Sequence, residues 1–457
     1  MQFEPRMNGP GVPSGGTPIE NAHHLRSSFP SLFICGQKSS SANGRLTLEQ
    51  GLIPNALALR WQHKMKRRDF LRSTGLVSAS LMMPRFLQGM GPIKSLNGRK
   101  LVVVQLSGGN DGLNTVVPFR NDIYYAQRPQ LALAREKVLA LSDELGFNPG
   151  MAALRAIHEA GQLTIVNGVG YPQPDRSHFR SMDIWHTASG SDAYLQTGWL
   201  GRYMDATEAK PHGVIEFGGT LSLANKGAQI KALALNEPAR FYANTREPFF
   251  AKLAQEQHVD QHQQLGYLYR TMTETYQSAG YIHEHLRPRS TDVVFPKNEL
   301  GKQLRYVSAF IQSGMDTSVY YTSFDGFDTH VNQLGRQQKN LTALSEAIGA
   351  FWNDLKAAGK QEDVLIMVFS EFGRRVKQNA SNGTDHGTAS NLFLIGSKLK
   401  KPGFFNAMPA LNDLDENGDL KFSVDFRTVY SALLEGWLGL SPALVGLGSF
   451  RSLPLFS

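Results

Sequence analysis

Leu101-Val-Val-Val-Gln-Leu-Ser-Gly-Gly-Asn-Asp-Gly-Leu-Asn114 decides the fold class. Leu101 to Leu106 is a short, largely β-branched apolar run. It reads as a strand buried on both faces, the habit of a parallel sheet. Gly108 and Gly109 then turn the chain and allow its backbone to approach another group closely. Asn110 and Asp111 follow at the carboxyl end of that strand, where open α/β sheets place their sites.

The pattern recurs along the chain. Leu163 to Gly168, Val214 to Phe217, Ser318 to Ser323, Val364 to Phe369 and Asn391 to Ile395 read as further strands. Between them, His178 to Thr187, Leu300 to Ser313 and Ser423 to Leu438 read as helices. In the segment from Gln337 to Leu355, Leu341, Leu344, Ile348, Phe351 and Leu355 fall on one helical face. Glu247 to His285 is mostly helical in pattern but polar, and belongs outside the sheet. Strand–helix alternation predicts an α/β fold: a doubly wound, mostly parallel sheet with helices on both faces and a partly helical insertion at about 220–300.

The chain has 457 residues and a formal net charge of +8. Residues 1–98 hold 12 basic and 4 acidic residues, which account for all of that charge. The remainder is neutral, so composition gives no footprint for nucleic acid. The single cysteine, Cys35, lies in the same leader. The rest of the chain therefore has no internal disulfide and no thiol ligand or nucleophile.

Met65-Lys-Arg-Arg-Asp-Phe-Leu-Arg-Ser-Thr-Gly75 carries the twin-arginine export pattern at Arg67 and Arg68. A weakly apolar stretch, Ser73 to Met83, follows. It is too short to span a bilayer and fits a signal segment. Residues 1–64, rich in Gly, Pro, Ser and Asn, read as a disordered extension or a misassigned start ahead of Met65. The expected organisation is an extension at 1–64, a signal segment at 65–97 and an α/β domain at 98–457. The protein is expected in the periplasm or secreted, with the twin-arginine translocase as its partner during export.

Four clusters carry metal-ligand or nucleophile chemistry. They are Asn110-Asp111; Asp175-Arg-Ser-His178; Asp328-Thr-His330; and Ser370-Glu371 with Thr384-Asp-His-Gly387. Carboxylate and imidazole are the donors that zinc, manganese, magnesium and calcium accept, with imidazole favouring zinc. Each cluster also has an ordinary reading: Asp111 closes an Asx-turn, Ser177 caps a helix, and Glu371 pairs with Arg374 or Arg375. Their shared position at predicted strand ends favours one site.

Gly108-Gly-Asn-Asp-Gly-Leu-Asn114, Ser177-His-Phe-Arg180, Phe327-Asp-Thr-His330, Ser370-Glu-Phe-Gly-Arg374 and Gly383-Thr-Asp-His-Gly387 resemble an uncharacterised family of twin-arginine-exported bacterial proteins, domain of unknown function 1501. That family is assigned to the alkaline-phosphatase-like superfamily. The resemblance runs from Met65 to the C-terminus. It implies an alkaline-phosphatase-like fold and a metal-dependent hydrolase of phosphate or sulfate esters, acting on a small-molecule or polymer substrate. Carried over residue by residue, it makes Ser177 the nucleophile and Asp111, Asp328, His330, Glu371 and His386 the ligands of one or two divalent metal ions. Arg176 and Arg180 would clamp substrate oxygens. Asn110, His178 and Asp385 are additional candidates. The sequence departs from the superfamily at two points: the Asp–His pair is spaced by two rather than four, and Glu371-Phe372 stands where an Asp-His doublet is usual.

Rival classes lack their residues. The body beyond the leader has no cysteine for a cysteine-derived sulfatase nucleophile, no Gly-x-Ser-x-Gly elbow is present, and Gly108-Gly109 is neither a phosphate loop nor a dinucleotide fingerprint. The remaining alternative is an exported binding or assembly protein that keeps the fold and one metal. The export reading has a direct test. A reporter fused to residues 65–98 is expected to reach the periplasm, and the Arg67→Lys, Arg68→Lys double variant to stay in the cytoplasm. Export indifferent to that change dismisses the reading.

Overall fold

Strand β1, Lys100–Leu106, is buried at every position. It lies inside a sheet and its side chains alternate between two cores: Leu101 and Val103 enter one, Val102, Val104 and Leu106 the other. The protein is described here from a computed structural model, which covers residues 98–255, 263–286 and 291–456. The chain divides into Met1–Leu81 and Met82–Ser457, and every described residue belongs to the second unit. The expected extension at 1–64 and export segment at 65–97 lie outside the described residues.

The other strands of the central sheet are β2 Leu163–Gly170, β3 Val214–Phe217, β4 Leu233–Leu235, β5 Val319–Phe324, β6 Val364–Ser370, β7 Ser390–Ile395, β8 Gly403–Phe404 and β9 Val424–Asp425. Their order is β8-β2-β7-β6-β1-β5-β3-β4, with β9 also paired to β2. β1 pairs in parallel with both β5 and β6, and β3 with β4 and β5. β7 runs antiparallel to β2 and β6. The sheet is thus mixed α/β and mostly parallel, as the alternation predicted.

Helices cover both faces. α1 His178–Thr187 and α4 Phe426–Ala432 place Ile184, Trp185, Phe426, Val429 and Tyr430 in the core of one face. α2 Glu299–Gln312 and α3 Gln333–Ala357 cover the other. There Leu341, Leu344, Ile348, Phe351 and Leu355 are fully buried in one cluster, as their spacing requires. Burial of each such side chain contributes about 1.5–3 kcal/mol before entropy is charged against it.

Some details differ from the expectation. Within 220–300, Leu233–Leu235 is a sheet strand and not part of a helical segment. The helices come after it, at Pro238–Thr245, Pro248–Gln255 and Gln263–His285. The closing helix starts at Phe426, where the Asp425 carboxylate accepts the Arg427 N–H at 3.0 Å, and continues as a π-helical turn over Leu433–Trp437. Short runs of two or three residues are too brief to show a period, so pattern reading passes over β4, β8 and β9.

Two substitutions on α3 check the assignment of its faces. Phe351→Ala is expected to cost about 3–5 kcal/mol in denaturant unfolding through the cavity it leaves. Exposed Asn353→Ala should stay within about 0.5 kcal/mol. Equal effects at the two positions would contradict this packing.

Candidate metal centre

The parallel register sets Leu106 beside Phe324 and Ser370, so β1, β5 and β6 end together. Their following loops meet at one edge. Gly108 holds a φ of +114°, and a Cβ there would lie 2.3 Å from the Asp328 backbone nitrogen. Only glycine permits that approach. A hairpin formed by Arg374–Gln378 and Thr384–His386 folds back beside these loops, and α1 begins there with His178.

Three imidazoles converge on one carboxylate oxygen. Nε2 lies 3.0 Å from Asp328 Oδ1 in His330, 3.4 Å in His386 and 3.5 Å in His178. The His330 and His386 Nε2 atoms are 2.9 Å apart. Behind each ring sits an oxygen that only accepts. His178 Nδ1 is 2.8 Å from Glu371 Oε1, His386 Nδ1 is 2.8 Å from the Arg176 carbonyl, and His330 Nδ1 is 3.5 Å from Asp385 Oδ1. For His178 and His386 the acceptor at 2.8 Å favours the proton on Nδ1 and turns Nε2 toward the cluster, the orientation used by metal-bound histidine. The His178 Nε2 atom is buried and has no hydrogen-bond partner. His178, Asp328 and His386 form a group whose ligand atoms lie within 4.8 Å of one another. The donor set therefore fits a divalent cation.

The electrostatics agree with this geometry. Burial opposes charge on Asp328, but the Arg374 guanidinium at 2.7 Å outweighs it and holds the carboxyl down to about 2. Burial likewise opposes charge on Glu371. Hydrogen bonds from His178, the Gly108 N–H and Ser370 prevail, and its carboxyl titrates below the ordinary range. The hydrogen bond to Glu371 raises the His178 imidazole, while burial lowers that of His386.

The structure brings Asp328, His330, His386 and the additional candidate His178 together. Other expected site residues lie elsewhere. Asp111 is on the same sheet edge, but its carboxylate is buried and fully engaged. Arg128 NH1 reaches Oδ2 at 2.6 Å and NH2 reaches Oδ1 at 3.0 Å, and the Leu113 N–H and Gln333 amide also donate to it. It caps a short helix and neutralises a buried arginine, which leaves no lone pair directed at the histidines. Glu371 stands behind His178 and orients it. Asn110 bonds to Thr115 and Ser370, and Asp385 to Asn379 and His330.

Neither arginine expected as a clamp is free. Arg176 is ion-paired with buried Asp419. Arg180 NH2 donates to the carbonyls of Ser191 and Ala193 at 2.9 and 2.7 Å, and its guanidinium lies 3.8 Å over the Tyr194 ring. Ser177 occupies the N-cap position of α1. It is exposed, and its hydroxyl makes no capping hydrogen bond.

Three residues escaped the reading of the sequence as parts of the site. Arg374 is buried and ties three loops together. Arg128 anchors Asp111. Asp419, with no exposed side-chain surface, pairs with Arg176 and Arg375. The adjacent Arg374-Arg375 pair, a few residues beyond the strand ending at Ser370, was the one visible signal: two neighbouring cations beside a buried edge must find oxygen partners.

A family model described as "Protein of unknown function (DUF1501)" matches residues 98–441. The chain belongs to that family. Solved structures resembling this DUF1501 chain include a protein in the alkaline phosphatase superfamily from Vibrio parahaemolyticus, at 13% identity and TM-score 0.37, covering 84% of this chain and 79% of that one. The PsFucS1 sulfatase from Pseudoalteromonas sp. is similar at 10% identity and TM-score 0.35, covering 84% and 76%. The C-terminal periplasmic domain of EcEptC from Escherichia coli, in complex with Zn, is similar at 12% identity and TM-score 0.33, covering 66% and 74%. No curated protein sequence matches the DUF1501 chain.

The buried Asp111–Arg128 pair generates a prediction that separates anchoring from ligation. Arg128→Met strands a buried carboxylate and is expected to cost about 3–5 kcal/mol in urea unfolding. Asp111→Asn should lower stability while leaving the bound metal per chain unchanged. Loss of metal from a folded Asp111→Asn variant would restore Asp111 to the ligand set.

Proposed function

We propose that this protein is an exported, metal-dependent hydrolase of phosphate or sulfate esters. In this reading His178, Asp328, His330 and His386 hold one divalent cation, zinc, and Ser177 is the nucleophile. The convergence of three imidazole Nε2 atoms on Asp328 Oδ1 supports the proposal. One ion is proposed in place of two, because Asp111 and Glu371 are engaged by Arg128 and His178.

When bound, the cation would supply Lewis acidity at an ester oxygen and lower the pKa of an adjacent hydroxyl. Ser177 immediately precedes His178 and is exposed, and in this reading its hydroxyl is the attacking group. Its oxygen would form the new bond to phosphorus or sulfur as the bond to the alcohol breaks, and the alcohol would leave with the serine proton. Water would then cleave the seryl ester and restore the hydroxyl. The first turn of α1 contributes backbone N–H groups that lack intrahelical acceptors, and its dipole favours developing negative charge. Glu371 holds His178 in one tautomer throughout.

A second reading is also supported by an observation. With Arg176 and Arg180 both engaged by protein oxygens, neither is placed to clamp a substrate anion. This favours a protein that binds a metal without turnover. Expression from Met65, metal analysis and assay with phosphate and sulfate esters separate the two. About one metal per chain is expected, and His330→Ala and His386→Ala should lose it. Ser177→Ala should keep the metal and cut turnover by about a thousandfold or more. Because that hydroxyl caps nothing, its removal should change stability by less than about 0.5 kcal/mol. Metal-loaded protein inactive on every ester would favour the binding reading.

A further inference from the structure

An open cleft of about 540 Å³ adjoins the histidine–aspartate cluster, with His178, Asp328 and Glu371 on its lining. Away from the cluster the lining combines apolar side chains with a few polar ones. Phe179, Met182 and Leu223 contribute to it, and Phe179 is 87% exposed although it directly follows a metal-centre residue. A phenyl ring left so open beside a reacting centre is available to stack on a partner.

Three polar groups of this cleft, Gln105, Ser107 and His186, are neutral and bonded to one another. His186 Nε2 lies 2.8 Å from Gln105 Oε1, which also accepts from Tyr321. Gln105 Nε2 donates to Ser107 at 3.2 Å. Burial holds the His186 imidazole down to about 4, so it is uncharged at neutral pH. The remaining charges are carboxylates, those of Asp328 and Glu371 and, apart from the cluster, that of Asp183. No lysine or arginine is among the lining residues. A second anionic group on a substrate would lie against Asp183 without a counter-charge, at an energetic penalty.

We propose that this cleft receives the alcohol half of the ester, that it takes an uncharged aromatic group, and that Phe179 is the residue that selects it. The proposal rests on the hydrolytic reading for its chemistry. Its physical content, aryl selectivity without added charge, is measurable as binding alone. A chain of repeated sulfate or phosphate groups is the wrong partner for this surface. A monoester of a phenol-like or benzylic alcohol is the right one, with its single anionic head at the cluster and its ring on Phe179.

The test uses non-hydrolysable probes on the metal-loaded protein, measured by calorimetry: phenylphosphonate, methylphosphonate and 4-carboxyphenylphosphonate. Benzenesulfonate and methanesulfonate run in parallel to separate a phosphate-type head from a sulfate-type one. Within at least one head type, the phenyl probe should bind about tenfold tighter than the methyl probe, the scale of one well-buried ring face. The carboxylated ring should lose that advantage. Phe179→Ala should bring the phenyl probe to the affinity of the methyl probe, with thermal unfolding unchanged because the side chain is exposed. Asp183→Asn should recover binding of the carboxylated ring.

Equal binding of phenyl and methyl probes, tighter binding of the carboxylated ring, or no binding of any probe overturns the inference. Turnover of esters without aryl preference overturns it and leaves the hydrolase reading intact. Aryl-selective binding by a protein that hydrolyses no ester overturns the hydrolase reading and leaves the specificity of the cleft standing.

Discussion

The buried guanidinium of Arg374 holds the candidate site together. Its Nε donates to the Gly109 carbonyl at 2.6 Å, NH1 to Thr384 at 2.8 Å, and NH2 to Gly108 at 2.5 Å and to Asp328 Oδ1 at 2.7 Å. The loops after β1 and β5 and the hairpin after β6 are thereby bound to one planar fork. A cation this deep is tolerated only because its donors are matched by oxygens. The Asp328 carboxylate that the histidines surround is ionised because Arg374 stands behind it. Position and charge at the centre share one cause.

A second buried arginine extends the scaffold. Arg128 binds Asp111 and Asn114 and also the backbone carbonyls of Arg375 and Val376. It links the helix cap after β1 to the hairpin that carries His386. Asp419 closes the far side by pairing with Arg176, whose carbonyl orients His386. His386 is thus oriented by a carbonyl whose residue is itself fixed by a charge pair one layer out. Loss of such an outer partner typically weakens metal affinity by about 10–100-fold.

The sheet was legible because apolar runs such as Val364 to Phe369 and the stripe from Leu341 to Leu355 have a period, and burial follows period. Asp328, His330 and His386 were legible because carboxylate and imidazole are the donor types a divalent cation accepts, and they fall at predicted strand ends. Asp111 was not, because a buried carboxylate is given its role by its nearest cation, and nothing in the spacing pairs it with Arg128. The same blindness applied to Arg176 and Arg180: sequence shows that a guanidinium is present, while folding decides whether an internal oxygen reaches it first. Family membership spans the domain, yet the chemistry must still be argued from the site.

The parallel pairing of β1 with β5 has a kinetic side. Thr322 Oγ1 donates to the Val103 carbonyl across 219 residues of chain. β1 stays without its partner until β5 has been made and a very long loop has closed. Contacts of this separation slow folding and leave an apolar strand edge open to other chains in the interval. The histidine–aspartate cluster, drawn from the segments after β2, β5 and β6, is complete only once that edge has closed.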